Sequence, residues 1–110
     1  MKKSILNFLI FFFNCYISSL CNAINLEKGE QLFKANCVAC HNQGINIIIP
    51  EKNLERKTLE ANGMYNLEAI RYQISNGKNG MPAFGGRLKE NEIEEIGQYV
   101  LIESEKSFQK

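Results

Sequence analysis

Two thiols and an imidazole stand together at Cys37-Val38-Ala39-Cys40-His41, and two thioethers follow downstream at Met64 and Met81. The five-residue run has the pattern that attaches a c-type haem. Two cysteines three positions apart on one helical turn can reach both vinyl groups on one side of a porphyrin. A histidine directly after the second thiol is then held beneath the iron, where a neutral ring nitrogen coordinates it. Since the chain has a single histidine, the sixth iron position must be open, filled by water or taken by methionine. Met81 is the better placed, because Gly77-Lys78-Asn79-Gly80 can bend ahead of it and Pro82 keeps the following backbone out of a helix. Met64 also sits beside a glycine; gap-filling in the core is its ordinary role, but spacing alone leaves it open as the ligand. With methionine bound, both axial positions belong to the protein, so the iron carries electrons and has no place for substrate. An open iron would point instead to gas binding or peroxidase work.

Other uses of the thiol pair fit less well. A structural zinc site needs four nitrogen or sulfur ligands, and residues 24–110 supply three. A thioredoxin-like pair belongs in a βαβ setting, whereas the surrounding pattern is helical. A bridge between Cys37 and Cys40 would close too small a loop to stabilise much.

The elements that must position these groups follow from periodicity. Leu26 to Ala39 is expected to be helical, with Leu26, Gly29, Leu32, Phe33 and Asn36 at helical spacing, and the thiol motif lies at its end. Ile47 to Ile49 is an apolar run between Gly44 and Pro50, expected to be a loop against something greasy. Thr58 is read as capping a short helix to Asn62 that ends at Gly63. Asn66 is read as capping another, with Leu67, Ile70 and Ile74 on one face and Gly77 as its stop. Four glycines and Pro82 make residues 77–86 a loop. The last helix carries the stripe Ile93, Ile96, Gly97, Val100 and Leu101, with Asn91 and Glu94 in capping-box spacing. Gly29 and Gly97 suggest that the two terminal helices cross closely, with Phe33 and Tyr99 beside the crossing. Ile47 to Ile49, Leu59, Tyr72, Ile74 and Phe84 are the expected apolar surroundings of the haem. With no convincing strand pair, the domain is expected to be all-α.

Residues 1–23 read as a cleaved targeting segment: Lys2 and Lys3, an apolar stretch from Ile5 to Ile17, and small residues at Cys21 and Ala23 ahead of a cut after Ala23. Ile5 to Leu20 is 16 residues, short of the ~20 that a spanning helix needs, and bulky Leu20 argues against lipid attachment at Cys21. Residues 24–110 form one domain of 87 residues, small enough that a covalent cofactor would reinforce its core. It carries all 12 acidic residues and 11 of the 13 lysines and arginines, a formal charge of −1, and nothing in it suggests nucleic acid.

Across nearly all of this domain the sequence resembles the cytochrome c6 family, soluble photosynthetic electron carriers within the class I cytochromes c. The resemblance rests on Gly29-Glu30-x-x-Phe33, Asn36-Cys37-x-x-Cys40-His41, Leu59-Glu60-Ala61-Asn62, Tyr72-Gln73-x-x-Asn76-Gly77-Lys78, Met81-Pro82-Ala83-Phe84-Gly85-Gly86-Arg87-Leu88 and Tyr99-Val100-Leu101. The Met81 segment is the most telling of these. The resemblance implies a class I fold of about four helices around one covalent haem c, attached at Cys37 and Cys40 and ligated axially by His41 and Met81. It further implies transfer from the cytochrome b6f complex, through cytochrome f, to photosystem I, by a monomer in the thylakoid lumen, as in an algal plastid. A bacterial host would put it in the periplasm or lumen. Gln73 would lie near the haem and help tune its potential, and Arg87 near the exposed edge where partners dock. The alternative function is a periplasmic class I carrier serving a respiratory terminal oxidase. Gly63-Met64-Tyr65 and the three isoleucines depart from the family pattern without touching an iron ligand.

Overall fold

The computed structural model describes residues 26–109; the targeting segment and its cut after Ala23 lie outside the described residues. Among the described residues there are five α-helices: α1 over residues 26–36, α2 Val38–His41, α3 Arg56–Ala61, α4 Leu67–Asn76 and α5 Glu90–Glu105. The described residues contain no strand, only isolated bridges Lys78–Met81 and Gly85–Leu88. Among them no helix is long and apolar enough to cross a membrane. The all-α expectation therefore holds.

The first helix does not run through the thiol motif as a single rod. It stops at 36, Cys37 makes a turn, and α2 continues to His41. Cys37 N donates to Phe33 O (2.8 Å) and His41 N to Cys37 O (2.9 Å), so the motif stays on one compact turn.

α4 begins and ends where its side chains dictate. Asn66 accepts from Ala69 N (2.8 Å) at the start, and Gly77, with φ +66°, takes the left-handed position at the end while its N–H donates to Gln73 O. Ile70 and Ile74 are buried on its inner face. α5 buries Ile93, Ile96, Gly97 and Val100 against α4 and the centre, each fully buried large aliphatic side chain contributing about 1.5–3 kcal/mol.

Two caps fall elsewhere than expected. α3 starts after Glu55, so Thr58 lies inside the helix and caps nothing. α5 starts after Lys89, not Asn91; the Glu92 carboxylate accepts from Lys89 N at 2.9 Å, half of a capping box that a lysine, having no acceptor, cannot return. That bond to Glu92 fixes the start at Lys89, and Glu90 and Glu92 both fall in the positive first turn.

The helix crossing is also partly redrawn. A Cβ on Gly29 would land on the Glu95 carbonyl, so α1 does meet α5 there backbone to backbone, with Phe33 and Tyr99 rings 5.2 Å apart beside it. Gly97 instead faces α4, where its Cβ would stand 2.8 Å from Leu67 Cδ1. The two glycines serve different contacts.

After α5, Ser107, Phe108 and Gln109 adopt φ values of +52°, +53° and +39°. Non-glycine residues pay about 1–2 kcal/mol each for the left-handed region. What compensates is Phe108, a buried ring packed against Phe33 at 5.9 Å and edge-on to Tyr99 at 6.5 Å.

Candidate functional site

A cavity of about 390 Å³ opens at the centre of the fold, and Cys37, Cys40, His41, Met81, Met64 and Gln73 all contribute to its wall. Its volume lies in the ordinary range for small-molecule and cofactor sites, ~300–1,000 Å³. The rest of the lining is largely apolar, from Phe33, Leu59, Ile70, Ile74, Phe84 and Val100. Asn46, Lys52 and Lys78 add a few polar groups, which suit the carboxylates of a porphyrin.

His41 is held by the turn that follows it. Its Nδ1 lies 3.0 Å from Ile45 O. A carbonyl only accepts, so Nδ1 carries the proton and Nε2 keeps its lone pair for a metal. The turn is fixed in its own right, with Ile45 N donating to Asn42 O (3.1 Å), Ile47 N to Cys40 O (3.1 Å) and Leu54 N to Gly44 O (2.7 Å).

Neither cysteine is disulfide-bonded. Burial pushes the Cys37 thiol up to about 11, the opposite of the depressed value that a redox-active pair uses. Among the described residues no three His, Cys, Asp or Glu side chains gather as a metal site, so zinc has no ligand set here. Two thiols, one imidazole of defined tautomer, a thioether and an apolar chamber fit a covalent haem.

Met81 is carried on a strap tied at both ends. Lys78 N donates to Met81 O (3.1 Å) and Met81 N to Lys78 O (3.0 Å), while Phe84 N and Gly85 N donate to Ile74 O and Ser75 O of α4. Gln73 Nε2 points at Met81 Sδ from 3.8 Å, which brings two of the expected residues together. Met64 lines the same cavity from the α3–α4 connection, so its thioether also belongs to the chamber.

Two expected surroundings are placed differently. Tyr72 is 72% exposed and Ile47 59% exposed, and neither lines the cavity; Ile48 and Ile49 do. Tyr72 lies on the solvent side of α4, two positions from buried Ile70 and Ile74. Arg87 is exposed and outside the cavity wall, its guanidinium 5.3 Å from the centre of the Phe84 ring. Asn46 was not foreseen. Its Oδ1 accepts from Ile48 N and Ile49 N, and its Nδ2 donates to Lys52 O, folding the isoleucine run over the cavity; an asparagine directly before an apolar run is the available signal.

The family model described as Cytochrome C oxidase, cbb3-type, subunit III matches residues 24–100. Cytochrome c6 of Bumilleriopsis filiformis is 55% identical over 84 residues, 76% of this chain and 98% of that protein. Cytochrome c6 of Pyropia yezoensis is 48% identical over 107 residues, 97% of each chain. The structure of cytochrome c6 from the diatom Phaeodactylum tricornutum superposes with a TM-score of 0.72 at 46% identity, covering 74% of this chain and 97% of that one.

Proposed function

The chain belongs to the cytochrome c6 family, and on that premise we propose that it carries single electrons from the cytochrome b6f complex to photosystem I. Membership brings one covalently bound haem c and an electron-carrying role. When bound, the haem supplies a reversible one-electron change at iron. In our reading Cys37 and Cys40 would hold the haem through thioethers, and His41 Nε2 and Met81 Sδ would hold its iron. The observation that carries this is a single chamber gathering both thiols, the sole imidazole with Nδ1 tied to Ile45 O, and the strapped Met81.

The chain's own residues then set the conditions of transfer. The hydrogen bond from Nδ1 orients the imidazole and raises its basicity. Apolar walls at Leu59, Ile74 and Phe84 exclude water, which favours the less charged ferrous form. The Gln73 N–H aimed at the Met81 sulfur acts in the same direction. With both axial positions filled there is no place for substrate, so the protein acts as a carrier and not as an enzyme.

We assign the working domain to residues 24–110 after cleavage following Ala23, acting as a monomer in the thylakoid lumen. The targeting pattern of residues 1–23 and the algal relatives support this. Exposed Arg87, stacked on a cavity-wall residue, is the charge a docking partner meets; Arg87→Glu should slow photosystem I reduction at low ionic strength and lose that effect as salt rises.

The match to an oxidase-subunit model favours, as a second reading, delivery to a terminal oxidase. Transfer rates to isolated photosystem I and to an oxidase separate the two, with the faster acceptor identifying the partner. Mass spectrometry of the processed polypeptide from a haem-attaching host should show one added tetrapyrrole and an N-terminus at Ile24. Free thiols and no added mass would overturn the assignment.

A further inference from the structure

We infer that Phe108, at the far end of the chain, is a positioning residue for the His41 imidazole, an inference that rests on the axial role proposed above for His41. Ser107, Phe108 and Gln109 hold three successive left-handed conformations, although none is a glycine and nothing in serine or phenylalanine asks for that backbone. The turn persists because it delivers one ring inward. That ring is 8% exposed and lies against Gly44, where a Cβ would meet Phe108 Cδ2 at 2.5 Å, Cγ at 2.9 Å and Cε2 at 3.0 Å.

Gly44 and Gln43 are themselves left-handed, with φ +80° and +54°. The flat ring is therefore the floor under a strained two-residue turn. Directly beyond Gly44, Ile45 presents the carbonyl that accepts from His41 Nδ1 at 3.0 Å. The mechanical chain runs from the Phe108 ring to the Gly44 backbone, to the Ile45 carbonyl, to the imidazole. Phe108 contributes nothing to the cavity wall.

Without the ring, the 43–45 turn relaxes, the Nδ1–H bond to the carbonyl lengthens and the imidazole becomes a weaker donor to iron. The ferric state then loses stabilisation, so the reduction potential rises. A side chain that only filled core volume would alter stability and leave the potential where it was.

The test uses the haem-loaded protein with Phe108→Ala, Phe108→Leu and, as a control, Ile93→Val, a buried α5 residue outside the cavity wall. Three quantities are read: thermal stability, reduction potential, and the hyperfine-shifted ring-proton resonances of His41 in the ferric state. Phe108→Leu still folds by filling the space but removes the flat ring, and should shift the potential upward and move the His41 resonances. Phe108→Ala, where it folds, should do the same by more, while Ile93→Val lowers stability and shifts neither. If Phe108→Leu loses stability like Ile93→Val with potential and His41 resonances unmoved, the link is refuted. If the unmutated protein shows no hyperfine-shifted histidine, it is the axial role of His41 that fails.

Discussion

Replacing each of two buried helix glycines by alanine should have opposite outcomes. At Gly29 the new methyl would land on the Glu95 carbonyl, with Glu95 C at 3.0 Å and Tyr99 Cβ at 3.1 Å. These atoms are backbone or fixed to it, so α1 and α5 must separate, an overpacking cost of about 1–3 kcal/mol. The better helix propensity of alanine returns about 1 kcal/mol, leaving a net loss of roughly 1–2 kcal/mol at the upper half of that range. At 4–8 °C per kcal/mol for a domain this size, Tm falls by about 4–16 °C. At Gly97 the nearest atom is Leu67 Cδ1 at 2.8 Å, the far end of a flexible side chain, and the next, Ile70 Cγ2, is at an ordinary 3.5 Å. Leu67 can swing aside, so the propensity gain survives and Tm should hold or rise by a few degrees. Thermal unfolding of both haem-loaded variants, followed by far-ultraviolet circular dichroism, checks this. A stabilised Gly29→Ala, or a Gly97→Ala that loses as much as Gly29→Ala, would refute the assignment of the two contacts.

Met81→Ala should abolish the methionine-to-iron charge-transfer band at the red end of the ferric spectrum and lower the reduction potential, whereas Met64→Ala leaves both nearly intact; the reverse result would move the ligand to Met64. Gln73→Leu removes the N–H aimed at the Met81 sulfur and should lower the potential in voltammetry while leaving the charge-transfer band in place. Tyr65 donates to Glu105 at 2.5 Å, and that bond holds its phenol above the ordinary 10.0. A group raised on folding gives stability that is complete below its unfolded value and is lost as pH rises through the folded one. Alkaline denaturation curves should therefore fall less steeply above pH 10 for Tyr65→Phe than for the unmutated protein.

What could be read from the sequence was whatever depended on neighbours along the chain. The spacing of Cys37, Cys40 and His41 is a local matter, as are the Asn66 cap, the Gly77 stop and the Ile93 to Val100 stripe, and each stands where periodicity puts it. The errors came where two local signals compete. Asn91 and Lys89 both precede a glutamate at the right spacing, and the helix starts after Lys89, whose N–H the Glu92 carboxylate takes. Tyr72 is an expected haem neighbour that the structure turns outward, because the inner face of α4 is set by Ile70 and Ile74. The role of Phe108 was not legible at all. Its partners, Phe33, Tyr99 and Gly44, lie at distant points in the chain, and only a large aromatic isolated among polar residues after a helix hints at it.

The strap that bears Met81 is pinned to α4 through main-chain bonds at Phe84 and Gly85 and closed on itself at Lys78. In the ligand role proposed for Met81, a sulfur mounted this way would have little freedom to recoil when the charge on its neighbour changes by one unit. Bond lengths and angles would then scarcely alter between the two oxidation states, which would keep the activation barrier to electron exchange small. Lys78 and Asn79 ride on the same strap, exposed at the surface yet part of the cavity wall, so a change of charge there is felt by a partner and by the chamber together.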